Sequence, residues 1–227
     1  MGMTAAASWL TDVFSGIDLG ILSLMHTLAE HVGVVLTPLC RLITLLGEKG
    51  IVFFLLALVL MCSSKTRPLG VCIFGAVCCG ALITNILLKD WVARPRPFET
   101  LAVYREWWQA IGSPAEDGFS FPSGHVTAAA AGMSALCFMR GRRWIWPAVG
   151  VVLVMAFVRT YLMAHFPSDV LAAVLIGVFS GWVASVITGW IFRLCIKHSK
   201  KSRLAWFILN WDLPLPSTRS ANYKGKH

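Results

Sequence analysis

Charge is scarce in this sequence: only 14% of its 227 residues are Asp, Glu, Lys or Arg, against about 25% in an average soluble domain. The shortfall falls mainly on the acids, 11 against 20 basic residues, for a formal net charge of +9. Any CxxC pair, or any Cys/His spacing of the kind that ligates zinc, is also missing. The seven cysteines (Cys40, Cys62, Cys72, Cys78, Cys79, Cys137 and Cys195) sit in or beside apolar segments. They read as small buried apolar residues, which leaves disulfides and a zinc site unsupported. No basic region precedes the first apolar stretch, so no cleavable signal peptide is expected. No soluble domain, low-complexity linker or internal repeat stands out.

What is present is apolar. The chain is 57% hydrophobic, with a mean hydropathy of +0.70. That composition names lipid as the solvent, and the length suits one bundle. Eight of the 20 Lys and Arg fall in residues 193–226, beyond the last apolar run. Such a tail reads as lying against anionic lipid on the cytoplasmic side, and no nucleic-acid partner is expected.

About 20 apolar residues are needed to cross the hydrocarbon core. Residues 69–88, 126–139, 145–163 and 170–192 meet or approach that length, and Trp144, Trp146, Trp182 and Trp190 fit headgroup anchoring. Residues 51–62 are apolar but short. Residues 17–46 are apolar yet carry Glu30, His31, Pro38 and Arg41, which fits one imperfect span or interfacial helices, the latter slightly favoured. The expected architecture is all-α, a polytopic transmembrane helix bundle of five to six spans. It divides into an N-terminal apolar segment (1–50), a transmembrane catalytic domain (51–194) and a basic cytoplasmic tail (195–227).

Lys65, Arg67, the Arg140/Arg142/Arg143 cluster and the tail mark one face as cytoplasmic. Alternation then sends residues 89–122 and the His165 region to the opposite, outer face. Three polar clusters lie there. In "KDWVARPRP", Lys89, Arg94 and Arg96 stand where positive charge is normally depleted; a guanidinium fork suits phosphate oxygens. In "PSGH", Pro122 and Ser123 open a helix whose unpaired first-turn amides, with Gly124, favour an anion beside His125. In "RTYLMAHFPSD", Arg159, His165 and Asp169 surround a bend at Pro167. Asp169 serves there either as a helix cap or as the acceptor that orients His165. Two histidines and an aspartate also suggest a metal, but the neighbouring cations would repel one and attract a phosphate.

These clusters resemble the signature of the type 2 phosphatidic acid phosphatase (PAP2) superfamily: K-x6-R-P, then P-S-G-H, then S-R-x5-H-x3-D. Here the signature reads Lys89 and Arg96-Pro97, then Pro122-Ser123-Gly124-His125, then Arg159, His165 and Asp169, with every spacing kept. Val158 departs from it, standing where the family usually has serine. The resemblance implies a membrane lipid phosphatase in which His165 attacks phosphorus to form a phosphohistidine and Asp169 orients it. It also implies that His125 protonates the leaving oxygen and later activates water. Lys89, Arg96, Arg159, Ser123 and Gly124 would hold the phosphoryl oxygens, with no metal and no cofactor.

The expected substrate is a lipid phosphate met at the outer face of the cell membrane, undecaprenyl pyrophosphate ahead of phosphatidylglycerophosphate, phosphatidic acid and lipid A phosphates. A phosphotransferase would use the same residues. A binder or transporter would need the cations but not both histidines. Asp90 and Arg94 stand beside the motif without belonging to it. The insert 98–121, with Tyr104, Arg105, Glu106, Trp107, Trp108, Glu116 and Asp117, fits a substrate lid and an interfacial anchor equally well.

Overall fold

Helices carry almost the whole chain. The computed structural model describes residues 3–114 and 116–213, and among these there is no strand. The all-α expectation is met. Four stretches are long and apolar enough to cross a membrane: Ala5–Met61, Arg67–Thr100, Arg142–Tyr161 and Pro167–His198.

The first of these is broken in two. Helix α1 (Ala5–Leu46) begins at Thr4, whose hydroxyl accepts from the Ala7 N–H at 3.1 Å. It stops at Gly47, after which Lys49 and Gly50 both take left-handed conformations, φ 49° and 70°. At Gly50 a side chain would be strained by that φ, and a Cβ would also press on Ala128 at 3.0 Å and Val77 at 3.1 Å. The chain resumes as α2 (Ile51–Met61), which is apolar on every face and therefore suited to lipid or bundle contact all round.

The next stretch holds α3 (Arg67–Ala81), a π-helical segment (Leu82–Leu88), α4 (Lys89–Val92) and α5 (Pro97–Thr100). Wide turns of the π kind concentrate at functional sites, and this one delivers Lys89. Helix α6 (Ala102–Ala110) follows, then α7 (Gly124–Arg140), α8 (Ile145–Tyr161), α9 (Pro167–His198) and α10 (Arg203–Asn210). Helix α7 forms the centre, with residues 126–132 and Ala135 buried against α3, α8 and α9. Small residues permit that approach. A Cβ on Gly177 of α9 would overlap Ala130 and come within 2.8 Å of the Thr127 carbonyl oxygen.

Because the helices alternate in direction, their ends collect at two poles. At one pole lie the ends of α4 and α8 and the starts of α7 and α9. At the other, Arg67 donates to the Met61 carbonyl at 3.0 Å and to the carbonyls of Ile208 and Trp211, while Asp212 accepts from Ser64. These bonds dock α10, a helix that the basic composition of the expected tail did not announce. Residues 214–227 of that tail lie outside the described residues.

Helix α1 keeps to the first pole along its whole length. The Thr4 hydroxyl bonds the Val92 carbonyl, Asp18 meets Arg94 and Ser168, His26 stacks on Trp107, Thr37 meets Tyr161 at 2.7 Å, and Gly47 adjoins His125. Leu22, Met25 and Cys40 bury its inner face in a cluster with Tyr104, Tyr161 and Phe166.

Candidate active site

The pole bordered by α1 contains the three polar clusters, and local sequence explains how each is aimed. Helix α4 ends at Ala93, which is left-handed (φ 50°). Pro95 and Pro97 then hold the chain extended, so Arg94 and Arg96 leave the helix and turn into the protein. Arg96 is 2% exposed; it donates to the carbonyls of Ala164 (2.9 Å), Gly118 (3.0 Å) and Asp117 (3.1 Å). Lys89 runs beside Gly118. Ser123 stands at the N-cap position of α7 but makes no capping bond.

Several buried polar atoms here have no partner among the described residues: Ser123 Oγ, His125 Nε2, and Arg159 Nε and Nη1. Buried donors and acceptors are almost always satisfied, so this set fits an anionic ligand. Arg159 is fully buried, and its Nη2 donates to both carboxylate oxygens of Glu116. Arg96 Nη1 reaches the same carboxylate at 3.1 Å. Glu116 thus sits among the cations expected to hold a phosphate. Burial alone would raise its carboxyl, but the charge and hydrogen bond of Arg159, then the charge of Arg96, outweigh that and hold it below its ordinary value.

His165 is 2% exposed and occupies the turn between α8 and α9. Its Nδ1 lies 2.7 Å from the Ser120 carbonyl oxygen, which can only accept, so Nδ1 carries the proton and Nε2 the lone pair. Burial, then the charges of Arg159 and Arg96, push this imidazole well below its ordinary value; the Ser120 bond opposes them. The direct bond expected from Asp169 is not made, since Asp169 Oδ2 lies 4.0 Å from Nδ1. Oδ2 instead accepts from the Ser120 hydroxyl and from the Phe166 N–H at 2.9 Å, and Oδ1 accepts from Arg94 at 2.7 Å. The physical reason is position. Asp169 is the third residue of α9 and turns back to cap its own helix, leaving Ser120 between itself and the ring.

Lys89, Arg96, Gly124, His125 and His165 line a cavity of about 1060 Å³, with Arg41, Lys49 and Asn85 on other walls. Ser123, Arg159 and Asp169 are fully buried and do not line it. Val158 belongs to the apolar cluster around Tyr161 and Leu162, so the residue that departs from the signature is a core residue here. Among the described residues no three His, Cys, Asp or Glu side chains gather as metal ligands.

Sequence reasoning did not pick out Ser120 or Asp18, read Ser168 only as a candidate helix cap and Arg41 only as an interruption of the first apolar segment, and gave Glu116 no role in the expected phosphate site. A lone carboxylate in an apolar stretch was a usable signal for Asp18; Ser120 offered none.

Comparison with known proteins places this arrangement. A family model, the PAP2 superfamily, matches residues 69–193. Undecaprenyl-diphosphatase BcrC of Bacillus subtilis is 30% identical over 163 residues, which is 72% of this chain and 80% of that protein. Lipid A 4'-phosphatase of Bacteroides thetaiotaomicron is 31% identical over 104 residues, 44% of each chain. The crystal structure of a transmembrane PAP2-type phosphatidylglycerolphosphate phosphatase from Bacillus subtilis superposes with a TM-score of 0.56 at 19% identity. That match covers 83% of this chain and 98% of the other.

Proposed function

The chain belongs to the PAP2 superfamily, and from that premise we propose that it is a lipid phosphatase whose preferred substrate is undecaprenyl pyrophosphate, hydrolysed to undecaprenyl phosphate through a phosphohistidine. One observation carries the reading: Arg159 and Arg96 both hold a partly buried carboxylate, Glu116, in a cavity that Lys89, His125 and His165 also line, so an anion already occupies the place a phosphoryl group would take.

For reaction, Glu116 gives way to the terminal phosphate. Lys89, Arg96, Arg159, Ser123 and the Gly124 amide hold its oxygens, and the charge they supply is what a phosphoryl transition state needs. His165 Nε2 forms a bond to phosphorus as the bond to the bridging oxygen breaks, and His125 protonates that oxygen. His125 then takes a proton from water, whose oxygen attacks phosphorus as the phosphorus–nitrogen bond breaks. The products are inorganic phosphate and neutral His165.

Two features favour a diphosphate. The more extensively matched relative bears the name undecaprenyl-diphosphatase, and Arg41 and Lys49 give the cavity cations beyond those that cradle one phosphate.

In the membrane we place α2, the α3–α4 unit, α7, α8 and α9 as five crossings. Helix α1 lies along the outer interface, the cavity opens outward and the C-terminus is cytoplasmic. The pole-hugging contacts of α1 support this.

The test is phosphate release by purified protein in detergent from undecaprenyl pyrophosphate, phosphatidylglycerophosphate, phosphatidic acid and lipid A, with and without EDTA. Highest kcat/KM on the pyrophosphate, unchanged by EDTA, is expected. Release from a monophosphate alone sinks the substrate reading, loss of activity in EDTA sinks the metal-free mechanism, and no release from any lipid favours a binder.

A further inference from the structure

A chain of buried polar groups, none of which lines the cavity, reaches it by a hydrogen bond to His165. It starts on α1, outside the family-matched residues. Asp18 is 2% exposed; its Oδ2 accepts from Arg94 Nη2 (2.9 Å) and Ser168 Oγ (2.7 Å), and its Oδ1 accepts from the Ser168 N–H (2.9 Å). Arg94, 1% exposed, lies with its guanidinium 3.9 Å from the Phe166 ring centroid and donates through Nη1 to Asp169 Oδ1 (2.7 Å).

Asp169 in turn accepts from the Ser120 hydroxyl. Ser120 is fully buried, and all of its polar groups are used. Its N–H bonds the Arg94 carbonyl at 2.7 Å, its hydroxyl bonds Asp169, and its carbonyl receives the Nδ1 proton of His165. Two carboxylates and a guanidinium withdrawn from water carry a desolvation cost that apolar packing would avoid. Their arrangement nonetheless ends on the imidazole nitrogen opposite the one that faces the substrate.

We infer that Ser120 is the positioning residue that fixes the tautomer and aim of His165, and that Asp18 on α1, through Arg94 and Asp169, holds Ser120 in place. The inference rests on His165 being the nucleophile. A peptide carbonyl orients a ring only as well as its own peptide plane is held. The Asp169–Ser120 hydroxyl bond supplies that restraint, and Asp18 fixes Arg94 so that Asp169 stays in register. Helix α1 is thereby part of the catalytic apparatus.

Steady-state kinetics on undecaprenyl pyrophosphate, or on whichever lipid phosphate the panel shows to be turned over, test this with His165→Ala, Ser120→Ala, Ser120→Thr and Asp18→Asn, each with its thermal midpoint in the same detergent. His165→Ala must be inactive; if it turns over, the nucleophile assignment fails and the inference falls with it. With His165→Ala inactive, Ser120→Ala is expected to lower kcat about a hundredfold at near-constant KM, the scale of a small misalignment of a reacting group. Ser120→Thr, which keeps the hydroxyl, restores most of that rate, and Asp18→Asn lowers kcat in the same KM-neutral way. Wild-type kcat in both Ser120→Ala and Asp18→Asn overturns the inference while the phosphatase reading stands. A lowered thermal midpoint with kcat per folded molecule unchanged does so too, because it marks the chain as structural only.

Discussion

Glu116 sets both of its carboxylate oxygens against one guanidinium nitrogen of Arg159, a fully buried residue. On the proposed reading Arg159 binds phosphate, and a tethered carboxylate on it must leave before substrate enters. Glu116→Gln keeps the shape and removes the charge, so KM and the inhibition constant for vanadate should both fall. About tenfold is expected, near the lower end of what a charge-assisted hydrogen bond contributes. A rise in KM would make Glu116 a substrate ligand. Burial raises this carboxyl and the two arginines lower it further, so the ion pair is complete above the ordinary value of 4.5 and is lost as pH falls through the depressed one. The advantage of the Gln variant should therefore stay constant from neutrality down to about 4.5, measured as the ratio of KM values.

His165 titrates well below its ordinary 6.5, chiefly through burial and the charge of Arg159, so the proposed nucleophile is already neutral in mild acid. The acid limb of kcat/KM, which reports the free enzyme, should have its midpoint well under 6.5. A midpoint at or above that value would point to a group other than His165 as the nucleophile.

The roles of the two histidines predict unequal losses. His165→Ala should abolish turnover, and His125→Ala should slow it about 10²- to 10⁴-fold, the usual worth of general acid–base catalysis. Arg159→Lys should recover little, because a single ammonium cannot reproduce the guanidinium fork. Phosphate release read with vanadate inhibition checks all three; undiminished turnover in His125→Ala would remove its role.

Five crossings and six differ in where the N-terminus lies. With α1 along the outer interface and the C-terminus inside, a reporter fused ahead of Met1 should be exposed outside the cell. Protease protection of that tag in intact cells would require α1 to cross instead.

Gly177 marks a close approach of α9 to α7. Gly177→Ala should lower stability by about 1–3 kcal/mol, the usual cost of overpacking, read as thermal midpoint in detergent. An unchanged midpoint would mean that the helices can separate at no cost.

The gathering of these polar residues at one pole was legible because local signals are rigid: a helix start after Pro122, a chain held extended by Pro95 and Pro97 and a bend at Pro167 each fix a side chain locally. Depth and partners were less legible. Residues 17–46 carry polar interruptions that fit two placements, and only contacts with Val92, Ser168 and Tyr161 show which pole α1 follows. The distance from Asp169 to His165 depended on how tightly α9 starts, and a direct bond was expected where Ser120 intervenes. Glu116 lies in an irregular stretch, where no periodicity tells which way a side chain turns. The docking of α10 through backbone carbonyls left no mark in composition.

Attachment to the same chain gives the Glu116 carboxylate an effective concentration at the cations, of order millimolar for a short flexible tether. On the proposed reading, free inorganic phosphate, the product, would compete at its bulk concentration against that local one. A lipid phosphate is confined to the membrane beside the cavity and so brings a high local concentration of its own. The Glu116 ion pair would thus set a concentration threshold that favours a surface-bound phosphate over a dissolved one.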